Sequence, residues 1–518
     1  MNNLIKYIKK HPVKSILCML GGLIIIINFI LASVHFFLGD VMLHTDIARD
    51  LLLIQNQVLN SKIELIGPRA GGIPGMFFGP LWYWITIPSF IIGNGNPIVV
   101  GIFWYILVVL LLGITYFIAR KVFDNNVAFI SLVLMSFYAP NQSLGFTSSF
   151  GSLLVSPLIF YFTYKFIKTK RTLPLIITIF LVGIIYHFQV AFAMIMLFLT
   201  FLLTIFYFAK TRRKSYFLSY LVLLIPFSTF ILFELRHNFL EIHSLFNFIF
   251  SKHVVQKKIT LLDILINGFQ GFIGGFDVLQ NFTSWSMILF LLINIFIAYK
   301  LIKGGIKKSK EFYALFYIYY VLFWGVTFLF KGLVWGYYSW AFLPLTVIIF
   351  SSLIKIIDKK IFIIALVILC TYSLNNNWIS VNDWVNNFHN KDSSSWTLNH
   401  SVAKKVFNKE KGSFGYFVFS PDEFGFPIKY AMSYVQKNIQ NKKAHLCQKM
   451  KTTYLIYYPD DSNSIADSKY WKYKKINLHK NPISVEQMGA LKIERYTLTP
   501  EEIAVPADPN LLCTLIFR

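Results

Sequence analysis

The chain has few cysteines and few acidic side chains. Its 518 residues include only four cysteines, and none has the CxxC spacing of a metal-binding pair. Aspartate and glutamate total 24 against 49 lysines and arginines, and charged residues are only 14% of the chain. With 56% hydrophobic and 18% aromatic residues, the composition is too apolar for a soluble protein. We therefore predict an integral membrane protein.

The excess of 25 positive charges permits two interpretations. Nucleic-acid binding is one, but the lysines and arginines form short clusters between apolar runs, as cytoplasmic loops do under the positive-inside rule. The sequence thus predicts contact with a lipid bilayer and not with nucleic acid.

A cleavable signal peptide is not expected either. The first apolar run, Ser15 to Leu38, has no small-residue cleavage site after it, so it is predicted to be a retained span. The further predicted spans are Pro97 to Ile118, Val127 to Leu144, Ser152 to Phe166, Leu173 to Tyr186, Val190 to Tyr207, Phe217 to Phe233, Ser284 to Tyr299, Phe312 to Phe330, Leu333 to Leu353 and Ile361 to Trp378. About 11 transmembrane helices are therefore expected.

The basic clusters set the predicted orientation. With a cytoplasmic N-terminus and eleven crossings, every cluster falls in the cytoplasm. Counting Met76 to Ile92 as a twelfth crossing would place two clusters outside, and this segment is short and contains Pro80 and Pro88. We interpret it as an interfacial helix in the first external loop.

A second interfacial helix is predicted just before it. Ile47, Leu51, Ile54 and Val58 recur at helical spacing and form an apolar stripe, with Thr45 as the expected cap. A Gly/Pro-rich turn, residues 67–75, joins the two helices.

The last span delivers the C-terminal part to the outside. We predict a transmembrane catalytic domain at residues 1–379 and a small extracytoplasmic α/β domain at 380–518, with β-rich runs at Tyr416 to Phe419, Thr452 to Tyr458 and Ala490 to Thr497 and a helix at Pro427 to Ile439. The fold class is thus mainly α: a polytopic membrane protein of the plasma membrane. The sequence leaves open whether Cys447 and Cys513 of the external domain form a disulfide.

Asp46 and Asp50 are the first candidate site residues. They lie four apart on one helical face, so they repel each other, and we expect that Arg49 does not satisfy both. A cationic ligand, a metal or a substrate proton would remove the conflict. The simpler interpretation is that both are solvated on the polar face of an amphipathic helix.

Four cations are candidates for binding a phosphate. Arg69 lies in the Gly-rich turn, Arg236 and His237 end a span on the outer side, and Lys331 lies in a short external turn. Lipid headgroup anchoring by Arg69, or mutual pairing of Glu234 with Arg236, would explain them equally well.

Other candidates are neutral or aromatic. His187 interrupts a long apolar stretch at a tight external turn, where a histidine is more often a hydrogen-bonded turn residue than a catalyst. Tyr337 and Tyr338 belong to an aromatic run suited to stacking on a sugar or an isoprenoid, although interfacial belts produce such runs without a ligand.

These features together resemble a known group of enzymes. One span, an external loop with an early acidic residue, two surface helices, many further spans and an external C-terminal domain resemble the GT-C glycosyltransferases, and family 39 most closely, which includes protein mannosyltransferases and aminoarabinose transferases. The resemblance is carried by HTDIARDLL, GPRAGGIPG, FGPLWYW and YYSWAFLP, starting at His44, Gly67, Phe78 and Tyr337.

The resemblance implies an inverting glycosyltransferase that moves a hexosyl or pentosyl unit from a polyprenyl-phosphate carrier to a hydroxyl of a protein, lipid or glycan acceptor. Asp46 matches the family's acid and would be the catalytic base. Asp50, Arg69, His187, Arg236, His237, Lys331, Tyr337 and Tyr338 would bind substrate. Ile47 stands where the family often has Glu, and residues 140–151 contain no acid, so a divalent metal is not supported and no cofactor is expected.

Two other functions stay open on the sequence. A transporter or flippase of lipid-linked saccharides would also span the membrane many times, but its charges gather near mid-membrane, whereas these lie at one face. A glycan polymerase or ligase would keep the same fold. For the enzyme, we expect the acidic and basic candidates to converge in one pocket at the outer surface.

Overall fold

The computed structural model describes residues 12–70, 75–145, 147–250, 261–275, 284–327, 336–437, 443–459 and 467–513. Helices dominate these ranges. Up to residue 250 they are α1 (Pro12–Phe37), α2 (Thr45–Asn60), α3 (Leu81–Ile92), α4 (Pro97–Val122), α5 (Asn125–Ser136), α6 (Ala139–Leu144), α7 (Phe150–Thr169), α8 (Thr172–Tyr186), α9 (Val190–Thr211), α10 (Ser215–Leu224), α11 (Ser228–Arg236) and α12 (Leu240–Phe250). The later helices are α13 (Leu261–Gly274), α14 (Ser284–Ile302), α15 (Lys310–Thr327), α16 (Trp340–Lys355), α17 (Lys359–Asp383), α18 (Trp396–Lys409) and α19 (Phe426–Lys437).

Several helices have the length and apolarity of membrane spans. Within the described ranges five helices meet both criteria, and the bent pair α10 and α11 makes a sixth if it is one span. Shorter apolar helices accompany them, among them α5, α8 and α16. Each of the eleven predicted spans overlaps one of the helices α1 to α17, so the predicted fold class, a mainly helical polytopic membrane protein with a small α/β domain, is confirmed.

Three of the predicted spans are interrupted, mostly where proline stands. The span predicted from Val127 to Leu144 divides into α5 and α6, with Pro140 in the first turn of α6. Helices α10 and α11 meet at an angle of 62°, next to Pro226. Helix α16 contains short 3-10 segments at both ends. Proline lacks a backbone N–H and clashes with the preceding turn, so it ends or bends a helix.

The chain divides into two compact units. Unit one comprises residues 1–32, 64–85 and 105–378, and unit two comprises residues 33–63, 86–104 and 379–518. Parts of the first predicted external loop thus belong to the same unit as the C-terminal residues. The two units are described separately below.

In unit one the predicted cytoplasmic loops gather at one end. Arg213 donates to the carbonyl of Lys170 at 3.2 Å, which joins the clusters after α7 and α9. The Ser309 hydroxyl donates to the carbonyl of Val122 at 2.6 Å, and Lys355 forms a salt bridge with Asp124. The Tyr164 and Phe312 rings also pack together, with 5.7 Å between their centroids. These contacts link the basic loops that follow α4, α7, α9, α14 and α16.

Buried amides tie three helices of unit one together farther along their length. The Asn28 amide of α1 donates to the Ser136 hydroxyl of α5 at 3.0 Å. The Asn377 amide of α17 donates to the Asn28 side-chain oxygen and to the Phe137 carbonyl, both at 3.0 Å. Each polar group finds a partner within the bundle, as burial in an apolar interior requires. We call this group the asparagine clamp.

Unit two contains a five-stranded sheet of β1 (Phe414–Phe419), β2 (Ala444–Leu446), β3 (Thr452–Tyr457), β4 (Ser484–Met488) and β5 (Leu491–Thr497). The strand order is β2-β1-β3-β5-β4, with β1 parallel to β2 and β3 and the remaining pairs antiparallel. The predicted strands correspond to β1, β3 and β5, and the predicted helix corresponds to α19. Short β2 and polar β4 were not predicted, because neither has a strong alternating pattern.

A disulfide joins Cys447, just after β2, to Cys513, with 5.6 Å between their Cα atoms. This answers the question that the sequence left open. Cys18 and Cys370 are free cysteines.

Helix α2 also belongs to unit two, and two details differ from expectation. The cap is His44 and not Thr45: the His44 Nδ1 accepts from the backbone N–H of Asp46, while the Thr45 hydroxyl donates to Asp422 at 2.5 Å. The apolar stripe is buried in protein, with Ile47 and Ile54 each 1% exposed, and the Ser433 hydroxyl of α19 donates to Gln55. The C-terminal residues therefore cover a face that we expected to meet lipid.

Candidate functional site

In unit one, residues 67–70 of the Gly/Pro-rich turn pair with residues 76–78 as a short hairpin, and residues 71–74 lie outside the described residues. Gly67 N–H donates to the Phe78 carbonyl at 2.6 Å, and Phe78 N–H donates to the Pro68 carbonyl at 2.9 Å. Arg69 and Phe77 form an antiparallel bridge within it. Ile66 and Phe77 pack into a buried cluster with Phe230 and Phe233 of α11, and Arg69 itself is exposed. The hairpin is thus packed against α11 on one side, while the guanidinium of Arg69 stays exposed.

His187, in the turn after α8, contacts both the end of this hairpin segment and the bend between α10 and α11. It is 3% exposed, and its Nε2 donates to the Pro226 carbonyl at 2.8 Å. A Cβ at Gly79 would overlap the His187 ring at Nδ1, so the FGPLWYW motif needs glycine there. Burial lowers the pKa of His187, which keeps the ring neutral with its proton on Nε2.

Gln189 links the same turn to the late aromatic motif. Its side-chain amide donates to the Tyr337 carbonyl at 2.9 Å, and its side-chain oxygen is buried without a hydrogen-bond partner in the described part of the chain. Tyr337 is half-buried and Tyr338 is buried, with their rings 4.7 Å apart. The sequence singled out His187 and the two tyrosines separately, and the structure brings them together through Gln189.

Two buried carboxyl groups lie under the hairpin. Glu241 Oε1 accepts from the Phe77 N–H at 3.0 Å. Glu234 accepts from the backbone N–H groups of Glu241 and Ile242 at 2.9 and 3.3 Å, so it caps α12. Burial, followed by the nearby Glu234 charge, raises the pKa of Glu241 to about 7, although the Phe77 N–H opposes the shift. Sequence reasoning considered Glu234 only as a partner of Arg236 and assigned no role to Glu241.

The structure describes some of the predicted phosphate-binding cations but not all of them. Arg236 and His237 are exposed at the end of α11, and His237 stacks on Phe233 with 4.1 Å between ring centroids. Glu234 does not pair with Arg236, because it is occupied by the α12 backbone. Phe233 also packs against Phe77, so the Arg69 hairpin and the Arg236 helix end are neighbours. Lys331 lies outside the described residues.

Asp46 and Asp50 lie in unit two, on the first turns of α2. Asp46 has a side chain that is 54% exposed, whereas the Asp50 side chain is 7% exposed. The expectation that Arg49 cannot satisfy both is wrong: its Nη1 lies 2.7 Å from Asp46 Oδ1 and its Nη2 lies 2.8 Å from Asp50 Oδ1. The guanidinium is a planar fork with donors on both sides, so one arginine serves both carboxylates.

Unit two holds two further ionisable groups near this helix that sequence reasoning missed. Asp422 accepts from Thr45 and Ser420, which fixes the start of α2. Lys429 is 2% exposed and donates to the Leu512 carbonyl at 2.9 Å, and burial lowers its pKa to about 8 despite the opposing effect of Asp422. The helical spacing of α19 gave a signal for its fold but none for the burial of a lysine.

The described ranges contain no cluster of side chains suited to bind a metal ion. No group of three or more His, Cys, Asp or Glu side chains is placed there to hold a metal ion. Asp46 and Asp50, the acids we considered as ligands, are held by Arg49 instead. The expectation that no metal or other cofactor is required stays a prediction.

Comparisons with known proteins place the fold. No family model matches the chain, and no curated protein matches it. Among solved structures it is similar to ArnT from Cupriavidus metallidurans in the apo state, with a TM-score of 0.54 and 9% identity over 93% of this chain and 98% of that chain. It is also similar to ArnT bound to undecaprenyl phosphate (TM-score 0.49, 10% identity, 96% and 100% covered) and to the apo oligosaccharyltransferase from Archaeoglobus fulgidus (0.42, 11%, 80% and 64%).

At such low identity the likeness shows the fold alone. The chain has the polytopic GT-C membrane fold of ArnT, with a small C-terminal sheet. The predicted fold is thus confirmed, whereas membership of the GT-C glycosyltransferases and of family 39 stays a prediction.

Proposed function

We propose that this protein is a membrane glycosyltransferase that moves a hexosyl or pentosyl unit from a polyprenyl-phosphate carrier to an acceptor hydroxyl. The observation that carries the proposal is the ArnT fold, shared over 93% of the chain. ArnT has been captured with undecaprenyl phosphate, which supports a lipid carrier of that class here. Assignment to family 39 rests on the four sequence motifs and belongs to the same proposal.

The residues of unit one support the binding of a lipid phosphate. Glycosyl transfer from this donor breaks the bond between the anomeric carbon and the phosphate oxygen, and the departing phosphate gains negative charge. Exposed Arg69 and Arg236 lie on packed, neighbouring elements and supply cations for that charge. Tyr337 and Tyr338 offer ring faces for the sugar or the isoprenoid chain, and Lys331 and His237 remain further candidates.

The structure supports His187 as a positioning residue. Its Nε2 holds the Pro226 carbonyl and its Nδ1 faces Gly79, so neither ring nitrogen is placed to meet a substrate. We propose that it keeps the hairpin and the α10–α11 bend in register.

The acceptor hydroxyl must lose a proton as its oxygen attacks the anomeric carbon. We propose that Asp46 takes this proton, since it has an exposed carboxylate at the start of α2. Arg49 orients that carboxylate through one oxygen and leaves the other for the acceptor. Asp50 would hold Arg49 in place.

We infer that the reaction takes place on the extracytoplasmic side of the plasma membrane, with the N-terminus in the cytoplasm. The basic loops of unit one share one end, as the positive-inside rule requires. The Cys447–Cys513 disulfide is typical of an oxidising compartment, which supports an external C-terminal domain.

Asp46→Asn tests the proposal directly. We expect transfer from labelled undecaprenyl-phosphate sugar to fall by about 10²- to 10⁴-fold, the usual contribution of a general base, at unchanged expression. Asp383→Asn, an exposed aspartate of unit two, is the control. Full activity of Asp46→Asn would remove Asp46 from the mechanism.

The same preparation separates the enzyme from a transporter. Proteoliposomes that hold the labelled lipid on one leaflet should yield a new glycosidic bond when an acceptor is present. Movement of the lipid between leaflets without any new bond would favour a flippase and overturn the proposal.

A further inference from the structure

A deep apolar cleft opens in unit one at the end where the basic loops gather. Its volume is about 900 Å³, and it lies between α1, α5 and α17. Its walls include Leu20, Ile24, Phe129, Ile363 and Leu366, while its polar rim is made by Asn125, Asn126, Lys355 and Lys359. The cleft therefore has an amphiphilic lining, with all its cationic groups at one end.

The asparagine clamp explains why the cleft exists and where it ends. Ile27, Val133 and Leu374 line its far end, and each is close in sequence to a member of the clamp. The three helices are hydrogen-bonded together there, whereas between the clamp and the polar rim the lining is mainly apolar. From Lys359 to Leu374 the helical rise is about 22 Å, somewhat more than the roughly 15 Å of hydrocarbon in one leaflet.

The helix faces around the cleft are apolar. The outer faces of α1 and α17 beside it are strongly apolar and exposed, with Met19 59% and Ile364 62% exposed, as expected for helices that meet lipid. The cleft is thus continuous with the bilayer surface. Empty, it would leave its walls without contact, and dispersion contacts favour its filling by a hydrocarbon chain.

The charge of the two lysines at the rim bears on which lipid headgroup the cleft could bind. Lys355 is paired with Asp124, but Lys359 forms no salt bridge with any residue in the described ranges. A lysine on the inner-leaflet side of a span attracts anionic lipids. The two asparagine side chains add hydrogen-bond donors next to it.

We propose that this cleft binds one anionic phospholipid of the inner leaflet, with an acyl chain between α1 and α17 and the headgroup at Lys359. The lipid fills the space between the helices that the clamp leaves open. It supports α1 and α17, the two least buried of the five long apolar helices in the described ranges. A polyprenyl carrier shares the phosphate chemistry, but its chain is much longer than the cleft and would extend beyond the clamp. The proposal concerns the opposite end of unit one from Arg69. It takes the inner leaflet from the orientation proposed above, but it does not depend on the glycosyltransferase assignment.

Native mass spectrometry of the full chain tests the proposal. Delipidated protein in mild detergent is titrated with phosphatidylglycerol, phosphatidylcholine or undecaprenyl phosphate. We expect one phosphatidylglycerol per chain, with phosphatidylcholine bound about fivefold more weakly because it lacks the net charge. Equal binding of phosphatidylcholine, or displacement of phosphatidylglycerol by an equal amount of undecaprenyl phosphate, would overturn the proposal.

Matched variants locate the site. Lys359→Ala should weaken phosphatidylglycerol binding about fivefold, and Ile363→Trp, which fills the cleft, should abolish it. The neighbours Lys360→Ala and Ile364→Trp change the same residue types outside the lining and should bind like the wild type. Binding that is equal in all four variants contradicts the proposed site.

Cysteine labelling gives a test that needs no variant. Cys18 lines the cleft and is exposed, whereas the other free cysteine, Cys370, lines it but is buried. The cysteines of unit two are bound in the disulfide. Phosphatidylglycerol should slow maleimide labelling of Cys18 in the wild type. If the labelling rate does not change at saturating phosphatidylglycerol, the lipid does not occupy the cleft, whatever the folding of Ile363→Trp.

Discussion

Glu241 places a carboxyl group directly under the backbone of the hairpin that carries Arg69. Its contact with the Phe77 N–H is a local attachment of that hairpin to α12, and Glu234 fixes the start of the same helix. Burial favours the protonated state of the Glu241 carboxyl, because desolvation penalises the charge. A single residue thus makes the packing of the hairpin sensitive to pH.

The pH dependence of stability tests this attachment. The pKa of Glu241 rises from 4.5 to about 7 on folding, so across that window the unfolded chain binds fewer protons than the folded one, and stability falls as pH rises. We expect the melting temperature of the wild type to drop between about pH 4.5 and pH 7 and then level off.

Glu241→Gln keeps an oxygen acceptor for Phe77 but has no proton to lose. Its melting temperature should vary less over the same pH range, measured by thermal unfolding in detergent. Glu423→Gln, an exposed residue of unit two, serves as the control. Identical pH profiles for the wild type and Glu241→Gln would show that Glu241 is not the titrating group.

At the scale of elements, the candidate site of unit one is assembled by contacts between turns. The hairpin, the turn after α8, the α10–α11 bend and the late aromatic segment meet through His187 and Gln189. Each turn belongs to a different part of the chain, so the closeness of these elements depends on how the helices pack. Among these elements, Gly79 lies so close to the His187 ring that there is no room for a Cβ atom.

Gly79→Ala tests the role of this contact. The added methyl group would overlap the His187 ring and must displace the hairpin or the ring, and overpacking of this kind costs about 1 to 3 kcal/mol. We expect a lower melting temperature together with weaker binding of labelled undecaprenyl-phosphate sugar. Gly113→Ala in α4 is the control, because nothing lies within 4 Å of its added Cβ. A normal melting temperature for Gly79→Ala would mean that the elements are not held there.

The sequence was sufficient to predict elements with a strong period or a long apolar run. All eleven spans, helix α2 and the strands β1, β3 and β5 were predicted from such patterns. Three contacts were not predicted: the Arg49 guanidinium that pairs with two aspartates, the buried Lys429, and the hydrogen bond from Gln189 to Tyr337. Each depends on side-chain geometry or on residues far apart in the chain. The pairing of Asp46 with the unit-one cations stays a prediction.

For the whole molecule, the disulfide and the basic loops bear on the same property, the orientation in the membrane. Cys447 and Cys513 are separated by 66 residues, so their bond closes a large loop of the C-terminal domain. The free cysteines lie in α1 and α17 instead. A thiol-reactive probe therefore distinguishes the domain from the membrane part.

Cys447→Ser tests both the bond and the compartment. Loss of a disulfide that closes a loop of this size typically costs about 2 to 5 kcal/mol, so the C-terminal domain should unfold at a lower denaturant concentration. Cys18→Ser, which changes an exposed free cysteine, is the control for stability. In intact cells, a membrane-impermeant maleimide should label Cys513 of Cys447→Ser. Labelling only after lysis would place the domain in the cytoplasm and contradict the proposed orientation.

The gathering of the basic loops at one end also affects how firmly the protein keeps its orientation once it is inserted. The last turn of α9 and the loop after it carry four positive charges, Lys210, Arg212, Arg213 and Lys214. Carrying them outward across a membrane potential of 100 mV, negative inside, costs about 9 kcal/mol before any hydration is lost. In the proposed orientation an energised cell therefore opposes inversion of this protein electrically, and the potential adds to the barrier that the lipid already imposes.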